Sequence, residues 1–336
     1  MKEFCDLSIL TIEEIEGLIG LANELERQPQ TQAMEGKVLA LLFLNPSLRT
    51  LTSFQASMTR LGGGTFVVSP EMSIHGLETR AGIVMDGSAA EHIREAVPVI
   101  ASYADVIGIR ALASKESLED DLADSEFNEL RSLCDIPLIN LESAIKHPCQ
   151  ALADWKTLSD LNVPGKGGKL VFSWVYHPEA LPLAVPADTI YMAAKRGMEV
   201  KLLRPDEFAM PELIVERTKK AASEGGGRFS ETNVRDEAMQ DAHVLYAGSW
   251  AATEDYGNKL ADQKTRNNYE NWCVDETWFE PASESCSFMH CLPVRRGVEV
   301  EDEILDGPRS VVVRQARNRM YTQMAVLKWL TTEFDE

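Results

Sequence analysis

The stretch Val38-Leu39-Ala40-Leu41-Leu42-Phe43-Leu44, followed at once by Asn45-Pro46-Ser47-Leu48-Arg49-Thr50, decides how this chain is read. Seven apolar residues in a row predict a strand buried on both faces. Pro46 ends it, Ser47 supplies an N-cap side chain, and Phe54, Met58 and Leu61 give the apolar spacing of a following helix. The first N–H groups of a helix lack intrahelical partners and carry the positive end of its dipole. With the hydroxyls of Ser47 and Thr50 and the guanidinium of Arg49, this start is a small anion site, sized for one phosphate rather than a nucleotide tail. The bland alternative is a capped helix with an exposed arginine, and the motif alone does not separate the two.

Outward from this point, strands and helices alternate. Thr11-Ile12-Glu13-Glu14 is a capping box opening a helix with Ile12, Ile15, Leu18 and Leu21 on one side. Strands are predicted at 38–44, 65–69, 106–110 and 136–141, with helices at 51–61, 91–103 and 125–134 between them. A helical segment from 142 to 161 leads out of this half, and Pro164-Gly165-Lys166-Gly167-Gly168 breaks the chain. The second half repeats the alternation, with strands at 169–175, 199–203, 243–247, 272–274 and 286–291, a late Val311-Val312-Val313, and a final helix over 318–334. The pattern predicts an α/β chain of two doubly wound parallel sheets. No G-x-G-x-x-G follows a strand, and Gly62-Gly63-Gly64 falls after a helix, where a C-cap turn explains it.

The length of 336 residues suits two domains rather than one core. A net charge of −20 argues against nucleic acid as a partner. It also means that a site for an anion must reverse the mean field locally, and Arg49, Arg110, Arg295, Arg296 and Arg319 are the candidates. No apolar segment is long enough to span a bilayer, and Met1-Lys2-Glu3-Phe4-Cys5-Asp6 lacks the apolar core of a secretion signal. The expectation is a cytoplasmic protein with no membrane partner. The six cysteines show no C-x-x-C spacing, so neither a disulfide framework nor a metal site is expected.

Two further motifs, His147-Pro148-Cys149-Gln150 and His290-Cys291-Leu292-Pro293, stand in the order and at the distances that transcarbamoylases use. Over roughly residues 1 to 333 the chain resembles that family. Within it, Met85-Asp86-Gly87, Glu91-His92, His177-Pro178 and the run from His290 to Arg296 make it most similar to the N-acylornithine carbamoyltransferases of arginine biosynthesis. The resemblance implies a carbamoyl-phosphate domain over 1–145, an acyl-ornithine domain over 146–317, and a C-terminal helix, 318–334, packing back on the first. It also implies a homotrimer with shared active sites and a knotted second domain, to which His177–Pro186 contributes. No cofactor is implied.

Carried over residue by residue, the resemblance gives carbamoyl phosphate to Ser47, Leu48, Arg49, Thr50, His75, Arg110, His147, Pro148, Cys149, Gln150, Cys291, Leu292 and Arg319. Arg110 would bridge the phosphate and carbonyl oxygens, His147 would donate to the carbamoyl oxygen, and Gln150 would bind the carbamoyl amide. Arg110, His147, Thr50 and Cys291 form the catalytic set, with the backbone carbonyls of Cys291 and Leu292 facing the carbamoyl NH₂ and the incoming amine. Glu142, His177, Leu292, Arg295 and Ala90 would meet the acyl-ornithine.

Three positions depart from the family. His75 stands where it has a Trp, Gly248 where it has a Lys for the substrate carboxylate, and Ala90 where it has Pro for N-succinyl or Glu for N-acetyl substrates. Ala90 lacks the carboxylate that would repel a succinyl group, so N-succinyl-L-ornithine is the favoured acceptor. N-acetyl-L-ornithine, free ornithine and a non-catalytic paralogue are the alternatives. The chain lacks the Asp/Ser-Met-Gly loop that holds a free α-amino group, which weighs against free ornithine.

Overall fold

The computed structural model describes residues 2–69, 76–80 and 82–332. In chain order the elements are β1 (Glu3–Phe4), α1 (Ile12–Arg27), β2 (Val38–Phe43), α2 (Leu48–Leu61), β3 (Gly64–Val68), β4 (Leu77–Glu78), β5 (Glu91–His92), α3 (Ile93–Ser102), β6 (Val106–Arg110), α4 (Leu118–Leu122), α5 (Ser125–Ser132), β7 (Leu138–Glu142) and α6 (Pro148–Asp160). There follow β8 (Lys169–Trp174), α7 (Ala184–Lys195), β9 (Glu199–Leu203), α8 (Glu212–Gly225), β10 (Arg228–Thr232), α9 (Arg235–Met239), β11 (Val244–Gly248), α10 (Lys259–Arg266), β12 (Ser287–Met289), α11 (Asp302–Asp306) and α12 (Val312–Thr331). The chain divides into two compact units. The first holds Met1–Ala113, Asp120–Cys149 and Arg319–Glu336, and the second Ser114–Glu119 and Gln150–Asn318.

The first unit has a five-stranded sheet of order β1-β7-β6-β2-β3, every pair parallel. Parallel strands need crossovers that cover both faces, which is why β2 reads as an unbroken apolar run. Ala40 and Leu42 of β2 pack with Ile107 and Ile109 of β6, Val97 of α3 and Phe127 and Leu130 of α5. The chain leaves β2 in one direction towards β3 and in the other towards β6, so the gap at the carboxyl ends of β2 and β6 is a topological switch point, where open α/β sheets bind ligands. Leu44 N donates to Arg110 O at 3.0 Å, and Leu112 N donates to Asn45 Oδ1 at 2.8 Å, tying those two ends together.

Helix α2 begins as its sequence dictates. Ser47 is extended and its side chain caps Thr50 N, while Phe54, Met58 and Leu61 are fully buried. Each of these side chains contributes about 1.5–3 kcal/mol of burial. Gly62 ends the helix at φ 84°, and a Cβ there would lie 2.1 Å from the carbonyl oxygen of Thr31, so only glycine fits. The capping box at α1 forms with both reciprocal bonds.

The second unit repeats the arrangement with the parallel order β10-β9-β8-β11-β12. Its core gathers Val171 of β8, Leu245 and Ala247 of β11, Phe288 of β12, Ile304 of α11, and Trp278 and Phe279 before β12. Here the switch point lies between β8 and β11, where Val175 N donates to Gly248 O at 3.0 Å.

Several elements differ from expectation. The segment 142–161 is not one helix: Glu142 closes β7, and α6 starts at Pro148. Residues 272–274 do not pair as a strand beyond a single bridge from Val274 to Val300. Val312 and Val313 open α12 rather than forming a strand, so that helix begins six residues before 318. Among the described residues no helix is long and apolar enough to cross a membrane.

Candidate active site

Within the first unit, the α2 start and the end of β6 carry a buried cationic cluster. Thr50 is fully buried; its Oγ1 accepts from Ser47 Oγ at 3.0 Å and from an Arg319 terminal nitrogen at 2.8 Å. Arg319 is 3% exposed. Arg110 is buried and ion-paired to Glu142 from the adjacent strand β7, and His147 Nε2 lies 3.3 Å from Glu142 Oε2. Arg49 is half-buried and close enough to act electrostatically on both His147 and Arg319. Leu48 is exposed.

Three guanidiniums thus gather near one carboxylate, and two of them, Arg110 and Arg319, are buried. Burial pushes Glu142 up, but Arg110 in particular outweighs it and holds the carboxyl below its ordinary range. Burial, reinforced by Arg319, Arg110 and Arg49 against the opposing pull of Glu142, pushes His147 down to about 3, so the imidazole is neutral at pH 7. Burial also lowers Arg319. The Nε atoms of Arg110 and Arg319 are buried with no hydrogen-bond partner. Such donors are expensive to leave unmade, and an oxyanion is the group that satisfies them. Burial raises the Cys149 thiol to about 12, which excludes a thiolate there.

In the second unit, His177 follows β8 and Arg295 follows β12. Arg295 Nε donates to His177 Nε2 at 3.0 Å, and His177 Nδ1 lies 2.8 Å from Glu179 O and 3.0 Å from Glu179 N. Burial lowers His177, with Arg295 and Arg266 adding to the effect. Arg295 itself is exposed and free to face solvent or ligand. Arg296 is drawn away instead, held by Asp302 at 2.8 Å and Asp306 at 2.7 Å.

Behind this pair sits Glu299, 1% exposed. Its Oε2 accepts from Arg295 N at 2.7 Å, and its Oε1 lies 3.5 Å from His290 Nε2. His290 Nδ1 accepts from Leu292 N at 2.9 Å, fixing Leu292 at φ 57°. A leucine in the left-handed region is strained, and such strain persists where the surroundings over-determine it, often at functional sites. Cys291 and Leu292 are half-buried on this turn. A cavity of about 240 Å³ in the same unit is lined by Glu179 and Ala180 after β8 and by Ala251, Tyr256 and Asp262 after β11.

The remaining predicted residues are less gathered. Pro148 starts α6, where a missing N–H costs nothing, and Gln150 lies buried in its first turn. Glu142, expected at the acyl-ornithine, is bound to Arg110 and His147. Ala90 lies on an exposed stretch just before β5. His75 lies outside the described residues. Gly248 ends β11, and a Cβ there would lie 2.9 Å from the ring of Phe172, which occupies the space a side chain would need.

Sequence reasoning missed Glu299, Asp154, Gln315 and Arg266. Arg266 is fully buried, bound to Asp262 and donating to His177 O and Ser249 Oγ, both at 3.2 Å, so it fixes the loops that follow β8 and β11. Its spacing of four from Asp262, and that of Asp154 from Gln150, were the available signals.

Known proteins fit this geometry. The carbamoyl-P binding domain of the aspartate/ornithine carbamoyltransferases matches residues 2–160, and the Asp/Orn binding domain matches 184–330. The chain belongs to the aspartate/ornithine carbamoyltransferase family and is an enzyme of that class. It is 33% identical over 330 residues to the N-acetylornithine carbamoyltransferase of Xanthomonas campestris pv. campestris, covering 97% of each chain. It is 32% identical over 296 residues to the N-succinylornithine carbamoyltransferase of Bacteroides fragilis, covering 88% of this chain and 87% of that one. A solved glutamate-to-alanine mutant of N-acetyl-L-ornithine transcarbamylase, complexed with carbamyl phosphate and N-succinyl-L-norvaline, superposes with a TM-score of 0.94 at 33% identity, covering 98% of this chain and 100% of that one.

Proposed function

We propose that this enzyme transfers the carbamoyl group of carbamoyl phosphate to the side-chain amine of an N-acyl-L-ornithine, releasing phosphate and an N-acyl-L-citrulline in arginine biosynthesis. The observation that carries the reading is the cationic cluster of Arg49, Arg110 and Arg319 around the α2 start, with the Nε atoms of the buried Arg110 and Arg319 left without a hydrogen-bond partner for a phosphoryl oxygen to satisfy. A non-catalytic paralogue has no use for charges buried at such cost.

Carbamoyl transfer asks for positioning and fixed charge more than for covalent help. The phosphate sits on the first N–H groups of α2, the Ser47 and Thr50 hydroxyls, and the three arginines. Arg110 exchanges part of its bond with Glu142 for the phosphate and carbonyl oxygens. The neutral His147 then donates its single N–H to the carbonyl oxygen, polarising it without adding a charge. The carbonyls of Cys291 and Leu292 receive the carbamoyl NH₂ and the attacking amine, and no cysteine serves as nucleophile. Arg295, backed by Glu299, meets the acyl end.

N-Succinyl-L-ornithine is the favoured acceptor, because Ala90 removes the carboxylate that marks an N-acetyl site. The solved alanine mutant of a relative with N-succinyl-L-norvaline bound supports the same reading. The protein works as a homotrimer, with His75 completing a neighbour's site. The deciding experiment incubates purified protein with carbamoyl phosphate and, in turn, N-succinylornithine, N-acetylornithine, ornithine and aspartate, following ureido product. The expected order is N-succinyl first, then N-acetyl. Turnover of free ornithine or aspartate alone would overturn the acyl reading.

A further inference from the structure

A chain of buried polar groups in the second unit has a fixed sense of hydrogen bonding. It begins at the backbone N–H of His290, which can only donate and meets Gln315 Oε1 at 3.1 Å. The amide NH₂ of Gln315 therefore points the other way, to Asp154 Oδ1 at 2.7 Å and to the Tyr246 hydroxyl oxygen at 3.1 Å. Asp154 accepts, and it accepts a second time at the same oxygen from Gln150 Nε2 at 2.8 Å. Turning the Gln150 amide over would set its carbonyl oxygen against a carboxylate. The remaining atom, Gln150 Oε1, is thus compelled to be an acceptor, and it is buried with no hydrogen-bond partner while the residue is 2% exposed. Asp154, Gln315 and Tyr246 are all 1% exposed or less, so water does not relax these choices.

Amide orientation is ordinarily a free two-way choice. Here it is removed by a carboxylate one helical turn away, on the same face of α6. A buried acceptor without a donor selects a ligand that brings an N–H and rejects an isostere that lacks it.

We propose that Asp154 is a positioning residue that locks Gln150 as a one-way acceptor for the carbamoyl NH₂. It thereby makes the site discriminate a carbamoyl group from an acetyl group of the same shape. The proposal rests on the carbamoyl-phosphate reading above. It extends that reading by assigning the discrimination to a residue that does not itself touch the ligand.

The test uses two stable phosphonates of equal size, phosphonoacetamide and 2-oxopropylphosphonate, titrated calorimetrically into the full chain. The first offers an NH₂ where the second has a methyl. The native protein is expected to prefer the amide by about tenfold. In Asp154→Leu the preference falls several-fold, the backbone carbonyl that also faces the NH₂ keeping the remainder, while affinity for the methyl ketone is unchanged. In Asp154→Asn most of the preference returns, because one side-chain oxygen can still accept from both glutamines. Equal weakening of both ligands in Asp154→Leu would show that the residue merely supports the fold. An unchanged preference there, or an Asn variant no better than Leu, overturns the proposal as well. Should Asp154→Leu fail to fold, Gln150→Met carries the test, and an undiminished preference in that protein refutes the assignment. A native protein that binds neither phosphonate refutes the carbamoyl-phosphate site itself. One that binds both equally refutes only the role of Asp154.

Discussion

Replacing Arg319 by Met should leave the unliganded protein as stable as before, or more so, while weakening its hold on carbamoyl phosphate. Arg319 is 3% exposed, lies in the field of Arg49 and Arg110, and has an Nε with no partner. Its burial is therefore costly in the free protein, and replacing buried charge with an apolar side chain of similar length is often neutral or stabilising. With ligand bound, a charge-assisted hydrogen bond is lost, worth about 1.5–3 kcal/mol, or roughly 10- to 150-fold in affinity. A ligand at 100 times its dissociation constant stabilises the native protein by about 2.7 kcal/mol. At roughly 2 °C per kcal/mol for a chain of this size, that is about 5 °C in Tm. At the same concentration the variant, weakened tenfold, gains about 1.4 kcal/mol, or about 3 °C, and less if the loss is greater. Thermal unfolding with and without phosphonoacetamide measures both effects. A variant that unfolds well below the native protein but retains the full ligand shift would show that Arg319 holds the fold together, and the cationic-cluster argument would fail.

Gly248→Ala should cost about 1–3 kcal/mol, since its Cβ would lie 2.9 Å from a buried ring; Phe172→Leu in the same chain should recover part of this, and additive losses in Tm would refute the steric reading. His147, held near 3 when folded, releases a proton that the unfolded chain keeps below about 6.5. Its share of stability is present above pH 6.5 and is lost as the pH falls towards 3. His147→Asn should therefore flatten denaturant-measured stability over that window, and an identical pH slope would count against a neutral buried imidazole. Glu299→Gln should raise KM for the acyl-ornithine with little change in KM for carbamoyl phosphate, because it loosens Arg295 and the Leu292 turn; equal effects on both KM values would point to global damage. Ala90→Glu should lower kcat/KM for N-succinylornithine more than for N-acetylornithine. Ala90 is exposed, so the repulsion is close to its value in water, about 1 kcal/mol at 4 Å, or roughly fivefold. Equal losses with both substrates would remove Ala90 from the acyl pocket.

What could be read in the sequence follows from how local the cause is. The β2–α2 corner is written in thirteen consecutive residues, because a two-face-buried strand, a proline stop and an N-cap each leave a local mark. Strand β10 leaves none. It lies at a sheet edge, where charged and polar side chains such as Arg228 and Glu231 are favoured, and it borrows its order from β9. Helix α7 hides behind three prolines, yet Pro186 falls in its first turn, where the missing N–H has no acceptor to disappoint. Three valines at 311–313 suggest a strand by propensity, but Val312 is buried in the second core while Val313 is 77% exposed, and tertiary packing carries the helix through them. The site divides the same way. Ser47, Thr50, His147 and Gln150 announce themselves by position in short motifs. Gln315, 161 residues from Asp154, can be joined to it only by folding. Motifs name the groups proposed to meet the substrate; the groups that fix their protonation and amide sense are scattered. In a chain of net charge −20, Arg110 and Arg319 are buried near a single carboxylate, Glu142, which keeps positive charge close to the α2 start. Surface charge of either sign is screened within about 10 Å. Arg110 and Arg319 are buried, where that screening is weaker, and this is the physical basis on which an acidic protein is proposed to hold a phosphate.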